Sequence, residues 1–126
     1  MTLRFSVEAL EAMRRHALAR APDECCGALL EGAEVRAFAL ANSADEPSLG
    51  YAINARSYLE AEAEADATGS TLIGFYHSHP HGPCEPSGSD IANAVGGFYY
   101  VIICEGDSLS TWYSPASSQL VRVTSP

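Results

Sequence analysis

The run His77-Ser78-His79-Pro80 constrains the fold more than any other part of the sequence. It directly follows an apolar stretch, residues 71–76, that predicts a strand. Side chains alternate between the two faces of a strand, so the two histidines are expected to lie on the same face. Residues 80–86 contain three prolines and one glycine, which excludes regular structure there. The sequence therefore predicts a strand that ends in two imidazoles and is followed by a loop.

A carboxylate follows this loop at the start of a predicted helix. Ser87 is a suitable N-cap, which places Asp90 in the first turn, projecting back toward the loop. Two imidazoles and one carboxylate would close three corners of a tetrahedron and leave the fourth open, as in catalytic zinc sites. Each signal also has a simpler explanation: the histidine pattern fits an edge strand facing water, and Ser87 with Asp90 fits a capping box. Capping and metal binding are compatible, because a fixed helix start decides where Asp90 points.

Glu24 is the second candidate carboxylate. It stands before the apolar run 25–30, which predicts a buried strand. A zinc-bound water needs a base that takes its proton and delivers it to the leaving amine, and a nearby carboxylate can do this without being a ligand. Taken alone, Asp23-Glu24 after Pro22 is more typical of an ordinary exposed loop.

Ser87 has two candidate roles. Its hydroxyl can cap the helix, or it can donate a hydrogen bond to a developing oxyanion. A role as nucleophile is disfavoured, because the sequence has no G-x-S-x-G elbow and the histidines would be occupied by metal.

Composition limits the class of protein. The chain has 126 residues, of which 47% are apolar and 18% charged, so it is expected to form one domain, residues 1–126. The net charge of −9 disfavours binding to nucleic acids or anionic membranes, both of which attract basic surfaces. No apolar run has the length of a membrane span or of a signal peptide, and the four cysteines form no C-x-x-C pair. We therefore expect a cytoplasmic protein with reduced cysteines.

Hydrophobic periodicity and turn residues predict a mixed α/β fold. Helices are expected from the Ser6 cap to Pro22, from Arg56 to Ala67, and from the Ser87 cap to about Val95. Strands are expected at residues 25–30, 35–40, 71–76, 99–104, 109–113 and 120–123, with a short one at 51–53. These elements would form one central mixed sheet flanked by about three helices.

Three separated segments together resemble one family of metalloproteases. The segments are Glu24-Cys25-Cys26-Gly27-Ala28-Leu29-Leu30, His77-Ser78-His79-Pro80 and Pro86-Ser87-Gly88-Ser89-Asp90. The JAMM family, also called MPN+ or Mov34/PAD-1, has a glutamate, then H-[ST]-H-P, six residues, and S-x-x-D preceded by proline. Every one of these positions matches, so the chain resembles a short single-domain prokaryotic member.

The resemblance implies a zinc-dependent peptidase or isopeptidase with a cytidine-deaminase-like fold. His77, His79 and Asp90 would bind Zn²⁺. Glu24 would hold the metal-bound water and act as general base and then acid, and Ser87 would stabilise the oxyanion. Family members cleave after the C-terminal glycines of ubiquitin or ubiquitin-like proteins, and some short ones act on sulfur-carrier proteins of the ThiS/MoaD type. The implied partner is therefore a ubiquitin-like or sulfur-carrier protein with a diglycine tail.

Three other functions compete with this one. A catalytically silent MPN scaffold that only binds partners would usually have lost ligands, whereas all of them are present here. A RadC-like, DNA-associated protein would typically show H-N-H-P and a preceding helical DNA-binding region, and this sequence shows neither. A deaminase-like zinc hydrolase would need H-x-E and P-C-x-x-C, and both are absent. Edge strands in so small a domain also leave a homodimer open.

Two residues in the loop between the ligands depart from what is usual in the family. Cys84 either fills space or brings a thiolate to the open position of the zinc, because zinc favours sulfur. His81 is expected to be an exposed loop residue, with a substrate-facing role as the alternative. Cys25, Cys26 and Cys104 are predicted core residues, since free cysteine is commonly buried.

Overall fold

The computed structural model describes residues 3–123 as three α-helices and six strands. In chain order they are α1 (Val7–Arg20), β1 (Cys26–Glu31), β2 (Val35–Leu40), α2 (Ala55–Thr68), β3 (Thr71–His79), α3 (Gly88–Ala92), β4 (Tyr99–Cys104), β5 (Leu109–Tyr113) and β6 (Val121–Val123). A single 3₁₀ turn, Glu105–Asp107, connects β4 to β5. Within the described residues, no helix has the length and apolar character needed to cross a membrane.

Capping residues set the ends of the two long helices. The Ser6 hydroxyl oxygen accepts from the amide of Ala9 at 3.0 Å, and the Asn54 side chain accepts from the amide of Ser57 at 2.9 Å. α2 ends at Gly69, whose φ of 65° lies in the left-handed region that glycine adopts without strain. Both helices therefore end close to where the sequence predicts.

The six strands form one mixed sheet in the order β2-β1-β3-β4-β5-β6. β3 and β4 are parallel, and every other neighbouring pair is antiparallel. α3 lies in the crossover connection that two parallel strands require. The carboxyl ends of β3 and β4 therefore lie close to the start of α3. His77 and His79 are at this end of β3.

Each face of the sheet carries one long helix and one hydrophobic core. Met13 of α1 packs with Tyr76 in one core, and Ala61 of α2 packs with Phe75 in the other. Successive residues of β3 alternate between these faces. The two histidines therefore share a face with Phe75 and α2, whereas Ser78 lies on the α1 face.

Two boundaries differ from the prediction near this end of β3. β3 continues through His79, because its parallel neighbour β4 pairs with it as far as Cys104. α3 ends at Ala92 rather than near Val95, because the Val95 amide donates to the hydroxyl of Tyr100 at 2.9 Å instead of to a helical carbonyl.

Residues 51–53 form no strand, contrary to the prediction. The Asn42 side chain accepts from the amide of Ala52 at 3.1 Å and donates to the carbonyl of Gly50 at 3.0 Å. These backbone groups on either side of Tyr51 thus bond to the Asn42 side chain and not to a neighbouring strand. Tyr51 is held in an irregular segment beside the sheet.

Gly74 is required where β3 and β4 approach each other. It pairs with Tyr99 in the parallel register, and a Cβ at this position would overlap the backbone carbonyl of Tyr99. Backbone atoms in a ladder cannot move aside without breaking the pairing. This glycine lets the strand that carries the histidines pack directly against β4.

Candidate metal centre and catalytic groups

The end of β3 brings the two imidazoles together. His77 and His79 are 1% and 8% exposed, and their Nε2 atoms lie 3.1 Å apart. Both side chains are on one face because the strand remains regular through His79. The predicted juxtaposition of these two residues is therefore present in the structure.

Asp90 reaches the same point from the first turn of α3. Its Oδ2 lies 3.1 Å from His77 Nε2 and 3.0 Å from His79 Nε2. A capping box fixes this orientation: the Ser87 hydroxyl oxygen accepts from the Asp90 amide, and Asp90 Oδ2 accepts from the Ser87 amide at 2.9 Å. The predicted cap is confirmed, and it aims the carboxylate at the histidines.

His77 Nε2, His79 Nε2 and Asp90 Oδ2 meet the requirements of a metal site. Zinc–nitrogen and zinc–oxygen bonds of about 2.0–2.2 Å place neighbouring ligands of a tetrahedron about 3.3 Å apart. The three donor atoms lie 3.0–3.1 Å from one another. Two neutral imidazoles and one carboxylate also form a donor set that binds divalent transition metals. The geometry and the chemistry of these residues therefore fit a metal ion.

The two histidines are oriented in different ways. His79 Nδ1 donates to the carbonyl of Pro83 at 2.9 Å, which directs Nε2 at His77 and Asp90; when Nε2 loses its proton, its lone pair faces the same point. His77 Nδ1 is buried and has no hydrogen-bond partner among the described residues. Instead, the ring of Tyr51 stacks on the His77 imidazole, with 4.3 Å between centroids and 19° between planes.

Burial and hydrogen bonding set the charges in this cluster. Burial lowers the pKa of His77, which favours the neutral imidazole that a metal ligand needs. The hydrogen bond to Asp90 raises the pKa of His79. Burial would raise the pKa of Asp90, but hydrogen bonds from His77 and His79 outweigh it and hold this pKa well below its usual range. The carboxylate of Asp90 is therefore ionised, as a metal-binding carboxylate must be.

Glu24 lies beside the imidazoles without joining their hydrogen bonds. One carboxylate oxygen of Glu24 and a ring nitrogen from each of His77 and His79 lie within 4.8 Å of one another. Burial raises the pKa of Glu24 to about 7, against the opposing effect of His79. A carboxyl group that titrates near neutrality can both accept and release a proton, as a general base and acid must.

The backbone around Glu24 is held from two sides. Its amide donates to the carbonyl of Pro47 at 2.8 Å, and its carbonyl accepts from the side-chain amide of Asn42 at 2.9 Å. The amide of Cys25 donates to the hydroxyl oxygen of Ser78 at 2.8 Å. Asn42 and Ser78 were not predicted from the sequence to hold Glu24 in place. The position of Ser78 between two histidines was a usable signal, whereas nothing marks one asparagine in a polar loop.

Ser87 lies exposed at the start of α3, close to the cluster. Its Oγ accepts from the Asp90 amide at 3.1 Å and lies 3.3 Å from Ser89 Oγ. Capping uses the oxygen and leaves the hydroxyl hydrogen available for donation. The donor role toward an oxyanion remains a prediction.

The model of a protein family, described as prokaryotic homologs of the JAB domain, matches residues 6–115. The chain belongs to this family. The match covers Glu24, the two histidines, Ser87 and Asp90, and the predicted resemblance to JAMM proteins is confirmed.

Two relatives of this prokaryotic JAB chain have names that state an activity. The chain is 29% identical over 117 residues to the desampylase of Haloferax volcanii, covering 86% of this chain and 84% of that protein. It is 37% identical over 94 residues to the "Probable TtuB-protein conjugate cleaving protease" of Thermus thermophilus. That second alignment covers 74% of this chain but only 64% of the relative, so more than a third of the relative has no counterpart in it.

A solved JAB1/MPN domain protein of Archaeoglobus fulgidus has the same fold. The TM-score is 0.61 at 18% identity, and the superposition covers 99% of this chain and 98% of that one. At this identity the likeness concerns the fold alone. It confirms the predicted mixed sheet with three helices.

Cys84 of this JAB-family chain is joined to Cys104 by a disulfide. The bond ties the loop between the ligands to the end of β4, and the Cys84 carbonyl accepts from Ser110 Oγ at 2.8 Å. A sulfur in a disulfide is not a thiolate, so the prediction that Cys84 brings a thiolate to the metal is wrong for this structure. The expected reduced state is also wrong for this pair. The parallel register of β3 and β4 brings together cysteines 20 residues apart.

The other residues singled out from the sequence lie as follows. Cys25 and Cys26 are buried free thiols, as predicted, on opposite faces of the sheet. Cys104 is only partly buried, at the last position of β4. His81 is exposed in the loop, as predicted, and its substrate-facing role stays a prediction.

Proposed function

We propose that the chain is a zinc-dependent peptidase or isopeptidase that hydrolyses the amide bond after the C-terminal diglycine of a ubiquitin-like or sulfur-carrier protein. The observation that carries this proposal is the convergence of His77, His79 and Asp90 at 3.0–3.1 Å with Glu24 beside them. The names of two relatives, a desampylase and a probable protease that cleaves TtuB-protein conjugates, support the same reaction.

In this proposal the metal ligands are His77, His79 and Asp90, and the ion is Zn²⁺. Zinc commonly binds three protein ligands in catalytic sites, where a fourth position stays available to water or substrate. When bound, the ion polarises the scissile carbonyl and a water molecule by acting as a Lewis acid. The capping box and the Pro83 carbonyl hold two of the ligands in place for it.

Glu24 is the proposed proton carrier. Its carboxylate accepts a proton from the attacking water as the new carbon–oxygen bond forms. It then passes that proton to the leaving nitrogen as the carbon–nitrogen bond breaks, so the products are a free carboxyl terminus and an amine. Its partly buried position and its raised pKa suit both steps.

Ser87 is the proposed donor to the carbonyl oxygen. Charge develops on that oxygen when water adds to the carbonyl carbon, and a fixed hydroxyl donor stabilises it. The capping box fixes Ser87 relative to Asp90, so the donor and the metal ligand move as one unit.

A cleft beside Asp90 supports a peptide tail as the substrate. Its volume is about 430 Å³, and its walls include Tyr58, Phe98 and Val95. Clefts of this size with apolar walls and a few polar groups are typical binding sites. We propose that this cleft takes residues before the diglycine of the ubiquitin-like protein.

The remaining predictions concern the whole chain. We infer that residues 1–126 act as one domain and that the protein works in the cytoplasm. The Cys84–Cys104 disulfide is unusual for a reducing compartment, so cell fractionation is the direct check of the location. Size-exclusion chromatography with light scattering tests whether the chain forms the homodimer that its edge strands leave open.

The test is cleavage of a diglycine-tailed sulfur-carrier protein that carries a short C-terminal extension, followed by intact-mass analysis. Zinc-loaded wild type should produce a new mass that ends at the diglycine. Glu24→Gln should retain zinc and produce none, and Glu31→Gln, an exposed carboxylate at the end of β1, should behave as wild type. A second substrate, in which the diglycine of the sulfur carrier is joined to a lysine side chain, distinguishes isopeptidase from peptidase activity. Failure of zinc-loaded wild type to cleave either substrate would reject the proposal.

A further inference from the structure

Tyr51 contacts His77, the proposed metal ligand whose Nδ1 has no hydrogen-bond partner among the described residues. Its ring stacks on the His77 imidazole, with 4.3 Å between centroids and 19° between planes. His79 has a different support, because its Nδ1 donates to the Pro83 carbonyl at 2.9 Å. For His77, no such bond exists among the described residues, although Nδ1 is buried. The two imidazoles are therefore oriented by two kinds of contact.

The stack limits the rotation of the His77 ring. An imidazole with no partner at Nδ1 has less to fix its last side-chain torsion, which is broad for histidine. A nearly parallel aromatic ring blocks that rotation on one face by van der Waals contact and favours the stacked geometry. The Nε2 atom of His77 then stays directed at Asp90 Oδ2 and His79 Nε2, each 3.1 Å away.

Tyr51 is itself held by its chain neighbours. The Asn42 side chain bonds the carbonyl of Gly50 at 3.0 Å and the amide of Ala52 at 3.1 Å, one residue on each side of Tyr51. The same side chain donates to the Glu24 carbonyl at 2.9 Å. One asparagine thus ties together the backbone that carries the stacked ring and the backbone that carries the proposed base.

We infer that Tyr51 is a positioning residue for the metal site: its ring, stacked on His77, takes the role that a hydrogen bond to Pro83 has for His79. The inference rests on metal binding by the proposed ligands and not on cleavage of any substrate. The inference concerns the ring of Tyr51 and not its hydroxyl, because the ring makes the stacked contact with His77.

The expected effect is a loss of metal affinity. Groups that orient metal ligands typically change affinity about 10- to 100-fold when they are removed. Tyr51→Leu should therefore weaken Zn²⁺ binding by at least about 10-fold, whereas Tyr51→Phe, which keeps the ring, should remain within about twofold of wild type. Tyr58→Leu is the matched control, because Tyr58 is an aromatic residue of the same core that packs on Phe75 and not on a ligand.

The experiment measures the Zn²⁺ dissociation constant by competition with a chromophoric chelator, with no substrate present. The absorption spectrum of the Co²⁺-loaded protein is recorded in parallel, because it reports ligand geometry. We expect the spectrum of Tyr51→Leu to change and the spectra of Tyr51→Phe and Tyr58→Leu to match wild type. Wild-type affinity in Tyr51→Leu, or equal losses in Tyr51→Leu and Tyr51→Phe, would overturn the inference.

A second variant covers the case in which Tyr51→Leu does not fold. Asn42→Ala leaves the tyrosine in place but removes the bonds to Gly50 and Ala52 that hold it. It should weaken Zn²⁺ binding although Asn42 contacts none of the ligands, and unchanged affinity in this folded variant counts against the inference. Cleavage assays are separate from these measurements. Normal zinc binding without cleavage would reject the proposed function alone, and absence of zinc binding in wild type would reject both.

Discussion

Glu24 lies across from His79, where the antiparallel register of β1 and β3 continues beyond its last paired residues. The paired register ends at Cys26 and His77. One step further, the Ser78 amide donates to the Cys25 carbonyl at 3.1 Å, and the Cys25 amide donates to the Ser78 hydroxyl oxygen at 2.8 Å. The next position on each chain is Glu24 on one side and His79 on the other. A proposed metal ligand and the proposed base are therefore brought together by strand pairing.

Ser78→Ala should separate the base from the metal site. The substitution leaves the buried amide of Cys25 without the hydroxyl oxygen that accepts from it, which costs about 1–3 kcal/mol of stability. We expect kcat to fall about 10-fold because Glu24 loses its alignment, while zinc content stays at the wild-type level. Steady-state kinetics and metal analysis on the same sample measure both quantities.

Ser114→Ala is the control for that variant. Ser114 is also fully buried, and its hydroxyl donates to the carbonyl of Ala116 at 2.8 Å, far along the chain from the site. It should lose stability to a similar degree and keep wild-type kcat. Equal losses of kcat in the two variants would mean that Ser78 acts only through stability.

Ser87→Ala should reduce turnover more than metal binding. Removal of one oxyanion donor typically lowers kcat about 100-fold or more. The Asp90 carboxylate still accepts from the Ser87 backbone amide, which the substitution retains, so zinc content should change little. Loss of the cap lowers stability by about 1 kcal/mol. Ser89→Ala, in the same turn, is the control, and a similar loss of kcat there would contradict the donor role of Ser87.

The sequence predicted those parts of the site that depend on local pattern. The alternation of a strand placed His77 and His79 on one face, and a capping motif predicted the orientation of Asp90. Contacts between distant segments were not predictable in the same way. Nothing in the local pattern indicates that Tyr51 stacks on His77, and the predicted strand there proved wrong because Asn42 bonds that backbone.

The disulfide escaped prediction for a related reason. Cys84 and Cys104 become neighbours only through the pairing of His79 with Cys104 in the parallel register, and that register cannot be derived from composition or spacing. The proposed role of Glu24 depends in the same way on the register of β1 and β3. Before that register was known, only the family resemblance connected Glu24 with the histidines.

Loss of the disulfide should destabilise the protein and loosen the loop that orients His79. Closing a loop of this length contributes about 3 kcal/mol through the unfolded state. We expect Cys84→Ser with Cys104→Ser to lower the free energy of unfolding by about that amount and to weaken zinc binding, because the loop carries the Pro83 carbonyl.

Denaturation with and without dithiothreitol checks this prediction. The reductant should lower the stability of wild type to that of the double variant and leave the double variant unchanged. Mass analysis after alkylation establishes which thiols are free. A wild type that is insensitive to reductant while its bond is shown to be reduced would contradict the prediction.

Gly74→Ala should be far more disruptive than an ordinary glycine substitution. The added Cβ overlaps the backbone carbonyl of Tyr99, so β3 and β4 must move apart. Overpacking of this kind costs about 2–3 kcal/mol, and the displaced strand carries both histidines, so zinc binding should weaken as well. Gly32→Ala is the control, since a Cβ at Gly32 meets no atom within 4 Å, and urea denaturation compares the two. Similar midpoints for both variants would contradict this account.

His16 should make the stability of the protein fall on acidification. Its Nδ1 lies 2.8 Å from the hydroxyl of Tyr76, and burial, followed by the charge of Arg20, lowers the pKa of His16. A lowered pKa means that the unfolded chain takes up the proton more readily, so this contribution is complete above about pH 6.5 and is lost as pH falls through the lower value in the folded state. Between about pH 7.5 and about pH 5.5, the urea midpoint of His16→Gln should therefore decrease less than that of wild type. An equal decrease in wild type and His16→Gln would show that His16 does not couple to folding.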